Sequence, residues 1–280
     1  MATIDKKRVE ELKEICAEMR IDLIKQLHKI QTGHPGGSLS VCEILALLYL
    51  EIANVDAKNP KCPNRDRIVL TKGHAAPMLY LALAKAGFIP KEEFATLRQL
   101  NSRLQGHPCP KTTPGVETAS GPMGIGLSAA IGMALALKLD KNPAKVYAIM
   151  GDGELNEGTV WEACMSAAKY AVDNLTVIVD LNGVQLDGTN DEIMPMLNLE
   201  AKFAAFGFEV LSCDGHDIVD IYETIHKANA IKGKPCVILA NTVKGKGVSF
   251  MEGKNSWHGA PIGAAEFAQA MKDLGGDIDG

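Results

Sequence analysis

Residues 145–158 read KVYAIMGDGELNEG and residues 175–182 read LTVIVDLN. Each opens with a short run rich in Val and Ile that lacks polar alternation, the pattern of a strand buried on both faces. Between them, the stretch from Thr159 to Ala171 has helical spacing. Strand, glycine turn, helix and strand in that order make a parallel crossover unit. The alternation continues outward: RIVL at 67–70 precedes a helical pattern near Ala76 to Ala86, and FEVLSC at 208–213 and CVILA at 236–240 follow. The pattern predicts a doubly wound α/β fold, a mainly parallel sheet with helices on both faces. Ligands of such sheets sit beyond the carboxyl ends of the strands, so the loops after KVYAIM, LTVIVD and CVILA are where chemistry is expected.

Further out, Val9, Leu12, Ile15, Cys16, Met19, Leu23, Leu27 and Ile30 form one apolar stripe, predicting a long amphipathic helix from about Ile4 to Ile30. Ser40 and Glu43 have capping-box spacing before Ile44–Leu48, a second helix. The stretch from Gly121 to Leu137 is uncharged but broken by Pro122 and glycines, and reads as a helix inside the protein rather than a membrane span. The whole, 1–280, reads as one domain, with 1–60 as an N-terminal helical segment packed on it and 275–280 as a flexible tail. Residues 242–262 read as a long functional loop.

With 46% hydrophobic residues, the 280-residue chain can bury a substantial core. Its net charge of -5, with scattered lysines and arginines, disfavours nucleic acid and anionic membrane as partners. Seven cysteines without CxxC spacing, most within apolar stretches, point to a reducing, cytoplasmic compartment. The N-terminus has no secretory signal pattern.

In GDGELNEG, Gly151 and Gly153 let backbone N–H groups approach an anion at a helix N-terminus, so a phosphate can dock there. Asp152 in the same loop would repel it unless a cation bridges the two, as Mg²⁺ does. The plainer reading of an isolated GDG is a turn in which Asp152 caps the helix. Asn182, directly after the next strand, shifts the balance, because neighbouring strand-end loops converge and can offer an amide oxygen to the same cation. Of seven histidines, four abut glycine in loops: His34 in TGHPGGSLS, His74 in TKGHAAP, His107 in QGHPCP and His258 in NSWHGAP. Singly each reads as a surface or capping residue; together they suggest one site.

GDG followed by about thirty residues and Asn resembles the thiamine-diphosphate motif, here spanning Gly151 to Asn182. The four histidine contexts, SGPMGIG at 120–126 and VKGKGVSFME before His258 resemble transketolase over nearly the whole chain. That resemblance implies a thiamine-diphosphate-binding fold, with Asp152, the Asn182 side chain and the Val184 carbonyl holding Mg²⁺, replaceable by Ca²⁺ or Mn²⁺. It implies cofactor contacts from His74, His258, Met123, Gly124, Gly151, Gly153, Glu154, Glu157, Asn182, Val184 and Leu186, with Glu157 also matching a glutamate at a subunit interface. Leu181 departs from the family pattern, which often has Asn or Asp there. His107 is expected to meet the donor's terminal hydroxyl, and His34 and His258 to exchange a proton with the carbonyl or alcohol oxygen. The implied activity is transfer of a two-carbon ketol unit from a ketose phosphate to an aldose phosphate. The implied partner is a second subunit carrying the pyrimidine-binding and C-terminal domains, in a heterotetramer of two plus two chains.

His28, His216 and His226 read as structural, with Asp217 capping the helix after His216. The alternatives are a ketol transferase for modified sugars, part of an enzyme like deoxyxylulose-phosphate synthase, and a partner-binding relic without catalysis. A Mg²⁺-dependent phosphohydrolase would need ligands beyond Asp152 and Asn182, and none is evident.

Overall fold

In a computed structural model, which describes residues 2–277, five strands form one wholly parallel sheet. They are β1 (Arg67–Leu70), β2 (Val146–Gly151), β3 (Leu175–Leu181), β4 (Glu209–Asp214) and β5 (Cys236–Asn241), in the spatial order β1-β2-β3-β5-β4. The ten α-helices among the described residues are α1 (Lys6–Ile30), α2 (Pro35–Ser40), α3 (Cys42–Leu47), α4 (Ala76–Lys85), α5 (Ile125–Leu139), α6 (Gly158–Lys169), α7 (Asn190–Ile193), α8 (Leu199–Ala205), α9 (Ile218–Ala230) and α10 (Ala264–Leu274). All five sequence-derived strands are present, β1 at the same bounds and the others within two residues.

The pleat sorts the strands onto two cores. In β2, Val146, Ala148 and Met150 join α5, α6 and α8, whereas Tyr147 and Ile149 join α1, α3, α4 and α9. This follows from the period of two, and from strands apolar on both faces. Handedness explains the placement of helices: α5, α6 and α8 carry the chain from β1 across to β4 on one face. The return step to β5 reverses direction, so its helix α9 must cross on the other face for the crossover to stay right-handed. The N-terminal helices complete the α9 face, with α1 packed on α3, α4, α9 and α10.

Two local readings change. Ser40 does not begin a capping box: it is the last residue of α2, and its hydroxyl donates to Asp180, while Glu43 pairs with buried Arg20 and accepts from His216. The helical pattern therefore starts earlier, at Pro35, which suits a first helical position. The uncharged stretch ending at Leu137 forms α5, buried on one side only: Ser128, Gly132 and Ala136 face out, and Ile125 and Leu139 are exposed. No helix among the described residues is long and apolar enough to cross a membrane. At the C-terminus Gly275, in the left-handed region, and Gly276 close α10 with bonds to Lys272 and Met271. The last three residues of the expected flexible tail, 278–280, lie outside the described residues.

Candidate functional site

The carboxyl ends of the strands converge on a cavity of about 190 Å³ lined by histidines, lysines and oxygen donors. A larger, more open cleft of about 690 Å³ lies beneath residues 189–200, lined by Leu181, Met196, Leu199 and Leu239 without a histidine or lysine. The smaller cavity therefore holds the convergent chemistry.

One wall comes from the loops after β2 and β3. Asp152, 1% exposed, accepts at Oδ1 from its neighbour Gly153 N–H (2.8 Å) and at Oδ2 from Gly183 N–H (2.6 Å) and Asn190 Nδ2 (2.9 Å). Burial, and then the charge of Asp180, push its pKa up. Asn182 Oδ1 accepts the Val184 N–H at 3.2 Å, and its Nδ2 donates to Asp180 at 3.0 Å. Gly183, in the left-handed region, and the Val184–Thr189 bridge turn this loop back over Asp152. Met123, Gly151, Gly153, Gln185 and Leu186 complete the wall.

The opposite wall is basic. Gly73 begins a 3-10 turn directly after β1 and sets His74 into the cavity, packed so tightly that a Cβ at Gly73 would overlap the Ser120 carbonyl. His34, at the N-cap of α2, and His258, at the end of a short 3-10 turn in the 242–262 loop, meet it: the ring centroids of His34–His74, His34–His258 and His74–His258 lie 5.4, 5.5 and 4.9 Å apart. Lys244 Nζ donates to the carbonyls of Val184 and Gln185, both at 3.1 Å, and to His258 Nδ1 at 2.9 Å. An ammonium can only donate, so His258 is neutral with its proton on Nε2. Burial, then Arg98 for His34 and Lys244 for His258, lower both imidazoles to about 4. Burial and Lys72 hold His74 well below its ordinary value, and burial with Lys72 lowers Lys244 to about 8.

The cavity thus joins His74, Met123, Gly151, Asp152, Gly153, Asn182, Val184, Leu186 and His258, with His34 against the imidazole pair. His107 lies nearby but outside it, exposed in a separate polar cleft with Arg98, Gln99 and Gln105. Three expected contacts do not line the cavity. Glu154 is buried behind it, accepting from Thr71 Oγ1 (2.6 Å) and the N–H groups of Gly124 (2.9 Å) and Gly151 (3.3 Å), so Glu154 and Gly124 brace the turn. Glu157 is exposed at the N-cap of α6. Lys72, Lys244, Gly37 and Gln185 are cavity residues that the sequence reading missed. Lys72 sits immediately before the quoted Gly73-His74 and Lys244 within the loop marked as functional, so position carried the signal although residue type did not. Of the histidines read as structural, His28 stacks on Phe267 (4.3 Å), and Asp217 does cap α9 after His216.

The donor set suits a hard divalent cation: one carboxylate, one amide oxygen and one backbone carbonyl, which leave coordination positions for water or phosphate oxygens. No group of three His, Cys, Asp or Glu residues among the described residues could hold a metal, so a cation here depends on those neutral oxygens. Asp152 Oδ1 has only one donor and keeps a lone pair for it. The Val184 carbonyl already faces a positive group, Lys244. The facing basic wall suits the phosphates.

Residues 12–279 match the family of the transketolase thiamine diphosphate-binding domain. The chain is 43% identical over 251 residues to a 6-deoxy-6-sulfo-D-fructose transketolase subunit of Clostridium sp. (strain MSTE9), covering 90% of this chain and 91% of that one. It is 39% identical to an apulose-4-phosphate transketolase subunit of Phocaeicola vulgatus, covering 97% of this chain and 96% of that one. Human transketolase is 37% identical, but the chain spans only 43% of its length. The crystal structure of Campylobacter jejuni transketolase superposes with a TM-score of 0.88 at 34% identity, over 98% of this chain and 44% of that one. The chain belongs to the transketolase thiamine diphosphate-binding family.

Proposed function

From that membership we propose that the chain is the pyrophosphate-binding subunit of a two-chain transketolase, moving a two-carbon ketol unit from a ketose phosphate to an aldose phosphate. The observation that carries the reading is one cavity in which His74 and His258 stand opposite Asp152 and Asn182, with His34 packed against both imidazoles, ring centroids 4.9–5.5 Å apart. Asp152, Asn182 Oδ1 and the Val184 carbonyl would hold Mg²⁺, and His74, His258 and the Gly153 N–H would take the pyrophosphate, with Lys72 and Lys244 contributing positive charge from behind, since the three protons of each ammonium are already held. When bound, thiamine diphosphate supplies the electron sink for carbon–carbon cleavage.

The remaining tasks fall to the protein. Neutral His258, with Lys244 on Nδ1, presents its Nε2–H as a donor to a substrate oxygen. His34 exchanges a proton with the carbonyl or alcohol oxygen beside it, and His107, in the neighbouring polar cleft, binds the donor's terminal hydroxyl. Met123 and Leu186 offer apolar surface to the cofactor rings. The rest of the active site comes from a second polypeptide with the pyrimidine-binding and C-terminal domains, in an assembly of two plus two chains within the cytoplasm. Relatives named as subunits, matched over nearly their full length, support that arrangement, as do single-chain transketolases of which this chain spans about two-fifths.

A second reading concerns the sugar. The Clostridium and Phocaeicola relatives are named for a sulfonated fructose and for apulose 4-phosphate, at 43% and 39% identity against 37% for human transketolase. This favours a modified sugar as donor. The test is to purify the chain with its native partner and assay transfer from xylulose 5-phosphate, 6-deoxy-6-sulfofructose and apulose 4-phosphate, with and without thiamine diphosphate and Mg²⁺. Cofactor-dependent transfer from xylulose 5-phosphate supports the ordinary reaction; transfer from a modified sugar alone supports the second reading. A complex that binds no cofactor and transfers from none of the three overturns both.

A further inference from the structure

Behind the oxygen wall lies a group that the proposed chemistry does not use. Asp180, 0% exposed and next to last in β3, accepts from four side chains. Ser40 Oγ (2.7 Å), Asn182 Nδ2 (3.0 Å) and the ammonium of Lys72 reach Oδ2, and Thr242 Oγ1 (2.5 Å) reaches Oδ1. Lys72 also donates to the Gly37 carbonyl at 2.8 Å, and the Thr242 N–H to the Leu181 carbonyl at 3.1 Å. One carboxylate therefore ties together α2, the turn after β1, the loop after β3 and the start of the 242–262 loop.

The consequence reaches Asn182. A carboxamide carries an oxygen on one side and an NH₂ on the other, and the two are nearly equal in shape. A carboxylate can only accept, so Asp180 draws Nδ2 inward and turns Oδ1 toward the loop of Val184 and Asp152. Turned the other way, Asn182 would offer two N–H donors where a cation needs an oxygen. The geometry points to Asp180 as a positioning residue: its carboxylate fixes the amide of Asn182 so that an oxygen faces the cation position. This rests on the reading of Asp152 and Asn182 as cation ligands. Partners that orient ligands typically change metal affinity about 10- to 100-fold when removed.

The test is Mn²⁺ binding to the full-length chain in the presence of inorganic pyrophosphate, followed by the electron paramagnetic resonance of free Mn²⁺, with thermal unfolding of every variant alongside. Wild type should bind and Asp152→Ala should not; binding that is absent in wild type, or unchanged in Asp152→Ala, overturns the cation site itself and the positioning role with it. Given a valid site, Asp180→Asn should weaken Mn²⁺ about 10- to 100-fold. Thr242→Val removes a donor from the same carboxylate but leaves the bond to Asn182, so it should lower stability while keeping affinity. A merely structural carboxylate would instead make affinity follow stability in both variants.

The exchange Asp180→Asn with Asn182→Asp keeps the negative charge near Lys72 and reverses donor and acceptor, again leaving an oxygen outward; it should bind within about tenfold of wild type. It also carries the test if Asp180→Asn alone does not fold. Wild-type affinity in a folded Asp180→Asn, or a folded exchange variant that does not bind, overturns the positioning role and leaves the cation site standing.

Discussion

The two walls of the cavity are built from opposite materials. The loops after β2 and β3 present oxygen: the Asp152 carboxylate, the Asn182 amide and the Val184 carbonyl. The turn after β1, α2 and the 242–262 loop present nitrogen: Lys72, His74, His34, Lys244 and His258. Only the second wall can take a phosphate directly. The first repels it until a cation stands between, because a carboxylate and a phosphate are both anions. Burial opposes charge on both walls, raising the pKa of Asp152 and lowering those of the imidazoles and Lys244.

Removing the carboxylate is the strongest way to break this contrast. Asp152→Ala deletes the one anionic ligand and leaves the Gly183 N–H and Asn190 Nδ2 without their acceptor. The expected loss of Mg²⁺-dependent thiamine diphosphate affinity exceeds the roughly 100-fold upper range for outer-sphere partners. Calorimetric titration of the chain with cofactor, at fixed Mg²⁺ and in its absence, measures it. Unchanged affinity in the variant would remove Asp152 from the metal site.

The oxygen wall was far more legible in the sequence than its support. Asp152 and Asn182 each follow a run of buried-strand residues, so a pattern of period and turn places both at the sheet's carboxyl edge. The strands themselves were legible because buried parallel strands cannot disguise their Val and Ile. The burial and pairing of Lys72, Asp180 and Lys244 were not. A Lys or Asp at the end of a strand reads as a solvated charge, and only the fold shows that Lys72 and Asp180 are 1% and 0% exposed and paired across 108 positions of sequence. Glu154 erred in the other direction. Its place in the glycine loop suggested a ligand contact, whereas Thr71 and two backbone N–H groups hold it behind the turn. The Ser40–Glu43 spacing misled because side chains distant in sequence, Asp180 and Arg20, claimed both residues.

The basic wall sets a pH dependence of smaller size. His34 and His258 have pKa values near 4 in the folded chain, below the ordinary 6.5, so between these limits the unfolded chain binds more protons than the folded one. Their contribution to stability is therefore present above about pH 6.5 and is lost as pH falls toward 4. Thermal unfolding of the ligand-free chain should show a midpoint that declines across this window, and His258→Gln should flatten the decline. A bound pyrophosphate opposes the lowering that burial and Lys72 impose on His74, an imidazole set against it in the proposed site. Binding near pH 6 should therefore take up protons, seen as a dependence of the calorimetric heat on the buffer's ionisation enthalpy. A slope unchanged in His258→Gln, with no proton uptake, would show that this wall does not titrate with its ligand.

The least effect on the isolated chain, and the sharpest division of labour, is expected on α5. Its two faces repeat the contrast between filled and open surroundings in a single helix. A Cβ at Gly126 would lie 2.7 Å from Thr71 Cβ, against the turn that braces the cavity, whereas one at Gly132 would meet nothing within 4 Å. Beyond Gly132 the outer side carries small residues, with Ile125 and Leu139 exposed at its ends and Leu139 at 83%. An exposed surface of this composition suits contact with the second polypeptide of the proposed assembly. Gly132→Trp should leave the stability of the isolated chain within about 0.5 kcal/mol, as for surface changes in general, plus the small gain from removing a helical glycine. If α5 meets the second chain of the proposed complex, the same indole has to fit between packed surfaces, so co-purification of that chain and cofactor-dependent transfer should fall together. Gly126→Leu should do the reverse of the first result, lowering the unfolding midpoint of the isolated chain because Thr71 cannot withdraw without releasing Glu154. If Gly132→Trp assembles and transfers as the wild type does, the outer face of α5 is free surface, and the proposed second chain docks elsewhere.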